Sequence, residues 1–373
     1  LWTSDRKWQS VRRCVGEKLP WFALSAAHSM ATLYVQHAGE AVRTFESAPL
    51  RIRLENAAVA AVTYLAKTFA PAGLAVFYPY PSAGLEWWRV AVSLAVLVGI
   101  SIVVLVMVRR RPYLAVGWFW FLGMLVPVIG IVQVGDQALA DRYMYLPQIG
   151  IAIAIAWLAH EVASLRPGAR RALGVIASGV CATMAWLSLT QLGHWRDSES
   201  LMTHTLAVTR NNATAHTLLG YAYQQRGAAD LAVEQYERAL AIDPRQVNAL
   251  NNLSVLYLDQ ARWAEAERKA LEAIAVQPTH AAAYYNLGVA LEEQGRIEPA
   301  LDHYAKALEL QPDFPKSYSR LGGALLRLGR GDEAAEAYRA YIRLEPDAPN
   351  GWTNLGVALA STGRYEEALQ PFR

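Results

Sequence analysis

The chain has 373 residues, room for two domains, with 35 Lys/Arg, 32 Asp/Glu and a net charge of +3. That charge is uneven: residues 211–373 hold 16 basic and 21 acidic side chains, a net of −5, which leaves +8 on residues 1–210. The basic half is also the apolar half and has no dense Lys/Arg block interleaved with aromatics, so its charge reads as membrane-flanking and no nucleic-acid partner is expected. Cys14 lies in a polar basic stretch and Cys181 in an apolar run, which gives neither a disulfide nor a metal spacing. Because it opens at Leu1 and stops at Arg373 inside a repeat, the chain is expected to be a fragment.

From the amino end, residues 1–194 read as a membrane domain. Charge-free runs near 90–108, 113–134, 143–159 and 172–193, and a weaker one near 19–36, approach the twenty or so residues that cross about 30 Å of hydrocarbon. His28 and His37 flank the first of these and read as packing or interface residues. The segment 50–80, Ala/Val-rich but punctuated by Arg51, Arg53, Glu55, Asn56 and Lys67, reads as an interfacial helix followed by tyrosines at the boundary, with a re-entrant pair as the alternative. Arg109, Arg110 and Arg111, then Arg166, Arg170 and Arg171, mark cytoplasmic connections, as do Lys7, Arg12, Arg13 and Lys18 at the first entrance. By that parity everything after Gly193 lies outside, in a periplasm if the membrane is a bacterial inner one.

The loop 135–147, with Asp136, Asp141, Arg142, Tyr143 and Tyr145, faces outward in the same scheme. An arginine there can hold a lipid phosphate bidentately while the rings lie against the headgroups. Equally, Asp141 can cap the next helix, Arg142 can pair with it or snorkel, and the tyrosines can form an aromatic belt.

Residues 195–210 form a connecting helix, and 211–373 repeat themselves. Pro244, Pro278, Pro312 and Pro346 fall 34 residues apart, each closing a unit with large and small apolar residues in register; a fifth unit is cut short. In one unit the series is Tyr284, Leu287, Gly288, Leu291, Ala300, Tyr304 and Ala307, and in the next Tyr318, Leu321, Gly322, Leu325, Ala334, Tyr338 and Tyr341. Two antiparallel helices per unit must interlock, and small residues let them approach. This pattern resembles the tetratricopeptide repeat, so the fold class is all-α: a multi-span membrane helix bundle followed by an α-solenoid. Asn252, Asn286 and Asn354 occupy one position on successive first helices, with Arg320 between them and with Asn251 and Tyr285 as neighbours. Each asparagine carries a donor and an acceptor, so the row can grip an extended peptide; it can also serve turn chemistry or face water.

The membrane half adds a second resemblance. Arg110-Arg111-Pro112-Tyr113, Gly117-Trp118-Phe119-Trp120, Leu125-Val126-Pro127 and Ala140-Asp141-Arg142-Tyr143-Met144-Tyr145-Leu146-Pro147, with Glu17-Lys18-Leu19-Pro20 upstream, look like the transmembrane and tetratricopeptide-repeat protein O-mannosyltransferases and their bacterial relatives. The resemblance implies a glycosyltransferase fold using a polyprenyl-phosphate sugar, with the solenoid presenting the acceptor. It implies a donor-phosphate site at Arg142, supported by Tyr143, Tyr145 and Asp141. The catalytic acidic residues of that family lie in an external loop that would precede Leu1, so none is assigned. No metal ligands are assigned, and no Walker, Rossmann, His-x-x-x-His or Gly-x-Ser-x-Gly motif occurs. The remaining readings are a non-catalytic membrane-anchored scaffold binding membrane lipids and protein partners, and a polysaccharide polymerase or ligase with an appended solenoid.

Overall fold

A computed structural model describes residues 27, 30–31, 49–81, 84–131, 137–165 and 168–368. The chain divides into two compact units, Leu1–Gly193 and His194–Arg373. All of the expected first span but residues 27, 30 and 31 lies outside the described residues, as do Cys14, Asp136, Arg166, His28 and His37.

In the first unit, helix α1 (Leu50–Phe69) is followed by strand β1 (Tyr78–Pro79), α2 (Trp87–Met107) and α3 (Pro112–Leu125). Strand β2 (Gln137–Leu139), a 3-10 turn (Asp141–Met144), α4 (Pro147–Leu165) and α5 (Ala169–His194) complete it. Among the described residues, two helices are long and apolar enough to cross a membrane: α2, with mean hydropathy 3.0, and α5, with 1.8. Of the expected spans, 90–108 and 172–193 thus stand as helices of that length and apolarity, which is less than the whole multi-span bundle expected from the charge-free runs. The run 113–134 in particular stops being helical at Leu125, beside Pro127, and its fourteen residues reach only about 21 Å at 1.5 Å per residue. In place of a span from 143, residues 141–144 make the 3-10 turn and the helix starts at Pro147.

Helix α1 departs further from expectation. Arg53 and Asn56, whose polarity suggested a headgroup-facing helix, are 3% and 4% exposed. Arg53 donates to the Ile131 carbonyl at 3.2 Å and Asn56 to the Ala138 carbonyl at 2.9 Å. Tyr64 is fully buried, accepting from the Ala140 N–H at 2.9 Å and donating to the Ala140 carbonyl at 3.2 Å. It joins Trp118, Phe121, Leu125 and Met144 in one apolar core. β1 and β2 pair antiparallel, Tyr78 opposite Leu139, which completes the clasp on residues 131 and 137–140. Helices α3 and α4 touch backbone to backbone where Gly117 faces Gly150, since a Cβ on either would meet the other's carbonyl oxygen.

The second unit is an α-solenoid. After α6 (Ser198–Val208), capped by Asp197 accepting the Ser200 N–H at 2.8 Å, come α7 (Ala213–Gln225) and α8 (Ala229–Ile242). The following pairs are α9 (Val247–Asp259) with α10 (Trp263–Val276), and α11 (Ala281–Glu293) with α12 (Ile297–Leu310). Next are α13 (Pro315–Arg327) with α14 (Gly331–Leu344), and α15 (Pro349–Ser361) with the short α16 (Tyr365–Ala368). Each period-34 proline falls two residues past the end of a second helix, where its missing N–H removes no helical bond. Within a pair, glycine faces tyrosine: a Cβ on Gly220, Gly288 or Gly322 would sit 2.6–2.8 Å from the ring of Tyr236, Tyr304 or Tyr338. The second unit of the repeat solves the same crossing with Ser254 and Ala270, and the Ser254 hydroxyl donates to the Ala266 carbonyl at 2.9 Å.

The turn inside each pair needs a left-handed residue. Gly227, Gly295, Gly329 and Gly363 supply it at φ 75° to 78°, but the same turn after α9 uses Ala261 at φ 57°. An alanine there bears roughly 1–2 kcal/mol of strain, partly offset because glycine loses more entropy on folding. Ala261→Gly should therefore raise the stability of the solenoid by about 0.5–1 kcal/mol, and Gly295→Ala should lower it. Urea unfolding followed by helical circular dichroism measures both, and shifts of equal sign would contradict the account.

Candidate functional site

The first helices α9, α11 and α15 carry the asparagine row, with Arg320 on α13 between them, and the structure breaks it into unlike parts. Asn286 is 4% exposed and donates Nδ2 to Oδ1 of Asn251 at 2.9 Å. Asn251 in turn offers its Nδ2 to Oδ1 of Asn252 at 3.5 Å, the outer limit of a hydrogen bond. Asn252 is turned the other way, donating to the Tyr236 hydroxyl at 3.2 Å. Burial pushes that phenol up to about 12, with the Asn252 bond acting in the opposite direction. The expectation of Asn252 as a groove residue is thus corrected: its amide is held by a core tyrosine of the preceding unit.

Arg320 interrupts the row because its guanidinium is taken. It lies 3.2 Å from Glu293 and 3.5 Å from Glu292. Glu292, only 6% exposed, also accepts from Tyr304 at 2.6 Å and pairs with Arg327 at 3.1 Å. Burial and that carboxylate hold the Tyr304 phenol far above its ordinary range. Asn354 sits on α15 and does not line the groove described next.

Asn251, Tyr285 and Asn286 line one open groove of about 420 Å³. Its apolar wall comes from Val255, Leu258 and Val289, its aromatic wall from Trp263, Tyr285 and Phe314. Tyr285 and Phe314 pack with ring centroids 5.1 Å apart, so the aromatic wall is held in place by its own contacts. Burial raises the Tyr285 phenol above its usual range. Sequence reading passed over Trp263 and Phe314; their only local signal is position, one opening a second helix and the other preceding the proline that opens α13.

In the first unit, Asp141 of the 135–147 motif is placed as neither sequence reading has it. Asp141 neither caps a helix nor pairs with Arg142. Its Oδ1 lies 2.9 Å from Lys67 Nζ, its Oδ2 accepts from the Tyr78 hydroxyl at 2.7 Å and from the Ala75 N–H at 3.2 Å. Burial lowers the Lys67 amine below its usual range while Asp141 acts to raise it. A carboxylate enclosed this way is structural, so its expected part in phosphate binding is corrected as well. Arg142 is exposed, stacks over Tyr143 at 5.4 Å and has no carboxylate partner among the described residues. Tyr143 accepts from Gln137 at 2.7 Å, and Tyr145 is 71% exposed. Lys67 and Tyr78 lie 74 and 63 residues from Asp141, and no local pattern marks them. Among the described residues no three His, Cys, Asp or Glu side chains gather as a metal site.

With this geometry in view, the class is plain: the second unit is a tetratricopeptide-repeat solenoid, a protein-interaction scaffold. Models of that repeat match residues 222–260, 247–277, 281–314 and 320–373. The chain is 30% identical over 126 residues to the mouse protein O-mannosyl-transferase TMTC1, covering 33% of this chain and 13% of that one. It is 31% identical over 86 residues to the type IV pilus assembly protein PilF of Pseudomonas aeruginosa, 23% of this chain and 34% of that one. The chain thus spans only a small part of the mouse protein and about a third of the pilus protein. Among solved structures, MamA aligns at 27% identity with a TM-score of 0.40, over 43% of this chain and 88% of that one.

Replacing Asp141 tests the enclosed carboxylate. Asp141→Asn leaves a half-buried ammonium without its counter-charge and should cost about 1–3 kcal/mol. A lowered thermal midpoint of the detergent-solubilised chain is the expected reading, and an unchanged midpoint would show that the ion pair holds nothing.

Proposed function

We propose that this chain is a membrane-anchored capture protein that holds an extended segment of another protein in the groove along α9, α11 and α13. One observation carries the reading. After Asn286 donates to Asn251, the pair, whose two residues both line the groove, retains one weakly used donor, Asn251 Nδ2, and one acceptor, Asn286 Oδ1. That is the hydrogen-bonding set of a single peptide unit, so the pair reads backbone without regard to side chain. The tetratricopeptide-repeat matches support protein or peptide binding as the general activity, and the two lipid-length helices support anchoring. The Arg109–Arg111 and Arg170–Arg171 flanks favour a topology with the solenoid outside the cytoplasm.

The experiment is peptide selection. The full chain in nanodiscs, panned against a random peptide library, should enrich binders. Asn251→Ala with Asn286→Ala should weaken those binders about 5- to 150-fold, the worth of two hydrogen bonds at about 0.5–1.5 kcal/mol each. Asn354→Ala should leave them unchanged. Failure to enrich, or equal affinity for the double variant, would remove the groove reading.

A second reading is favoured by the similarity to the mouse O-mannosyl-transferase. In it, the chain belongs to a lipid-linked sugar transferase: Arg142 anchors a polyprenyl-phosphate donor, Tyr143 and Tyr145 lie against it, and the groove presents the acceptor. The exposed guanidinium of Arg142, without a carboxylate partner among the described residues, supports this role. Arg142→Ala should weaken binding of a polyprenyl phosphate about tenfold, a loss of about 1.4 kcal/mol, without moving the thermal midpoint. Equal retention of a fluorescent polyprenyl phosphate by both proteins would end that reading.

A further inference from the structure

Four charged side chains line the groove, and they are not equivalent. Asp259 and Glu293 end α9 and α11, one repeat apart, while Lys316 and Arg320 lie in the first half of α13. Glu293 and Arg320 neutralise each other at 3.2 Å. Asp259 and Lys316 are exposed, and among the described residues neither has an ion-pair partner. First helices of successive repeats run in the same direction, so the unpaired anion is at the rim formed by carboxyl ends and the unpaired cation at the rim formed by amino ends.

Both charges also oppose their own helices. A carboxylate on the last residue of α9 adds to the negative end of the helix dipole, and an ammonium on the second residue of α13 adds to the positive end. Folding alone favours the opposite assignment at each end. For a ligand in the groove the two contributions reinforce, making one rim attract cations and the other anions, with the apolar and aromatic wall between them.

We infer that the captured segment is dipolar, with a basic residue on one side of an apolar stretch and an acidic residue on the other, the basic one beside Asp259 and the acidic one beside Lys316. This rests on the groove reading above and specifies its partner. A thirteen-residue helix is about 20 Å long, the reach of about six extended residues, so the two charges belong at least that far apart.

The test uses fluorescein-labelled peptides and the full chain in nanodiscs. One series places Lys and Glu six to nine residues apart around Leu, Val and Tyr, in both chain orders, and a control series has Ser at both charged positions. At low salt the best dipolar peptide should bind at least tenfold tighter than its Ser control, and the advantage should shrink as ionic strength rises. Asp259→Lys or Lys316→Glu should abolish the advantage, and the double variant should prefer the opposite order. Since each substitution restores a charge the dipole favours, the unfolding midpoint should hold or rise. Equal binding of dipolar and Ser peptides, or an unaltered preference in the double variant, overturns the inference and leaves the groove standing. A fallen midpoint in either variant shows those charges to be structural and equally overturns it. Binding of no peptide in either series removes the groove reading with it.

Discussion

The close crossing of each helix pair is the constraint on which the groove depends. Gly220, Gly288 and Gly322 remove the side chain that would hold the pair apart, and Tyr236, Tyr304 and Tyr338 fill the space so created. Ring area supplies most of the burial, but a phenol taken into a core must also find a hydrogen bond. Tyr236 donates to Gln224 and accepts from Asn252, and Tyr304 donates to Glu292. The packing solution therefore reaches the inner surface: it decides that Asn252 is spent on a core hydroxyl, and it sets the buried carboxylate to which Arg320 and Arg327 are drawn. Asn251 and Asn286 are what remains.

A buried carboxylate shared by two guanidiniums and a phenol is costly to desolvate and is retained only where its partners are complete. Glu292 lies at the end of α11, Tyr304 on α12, and both arginines on α13, so the cluster ties one repeat to the next where a solenoid has only neighbour contacts to rely on. Phe314 packs on Tyr285 at the same boundary. The aromatic wall of the groove thus sits at a joint fastened by ion pairs and by ring contact, which suits a surface that must keep its shape when it is empty.

Much of this was legible in the sequence, and the limit is physical. A solenoid repeats because each unit meets only its neighbours, so the 34-residue period, the small-against-large crossings and the closing prolines all appear as local spacing. The two lipid-length helices were legible for the same reason, since length and apolarity are properties of a continuous run. The clasp in the first unit was not. Asn56 to Ala138, Tyr64 to Ala140 and Lys67 to Asp141 join residues 74 to 82 positions apart, and α1 gives no sign on its own that its polar side turns inward. Likewise Asn251 and Asn252 are adjacent, chemically identical and opposite in use; only the Tyr236 hydroxyl distinguishes them.

In each unit, pairing within the chain decides which charges remain for a ligand. Asp141 and Arg142 are adjacent, and a free carboxylate beside a free guanidinium would cancel much of its field. Lys67, Tyr78 and the Ala75 N–H occupy that carboxylate fully, so Arg142 keeps its charge for whatever lies outside the turn. Along the groove, Arg320 does the same to Glu293, and the lining charges left over among the described residues are Asp259 and Lys316. A count of charged residues along either motif suggests near-neutral surfaces. The hydrogen-bond geometry instead leaves one exposed cation in the 141–145 turn and an ordered pair of opposite charges along the groove, because a charge already satisfied inside the fold has little left to offer a partner.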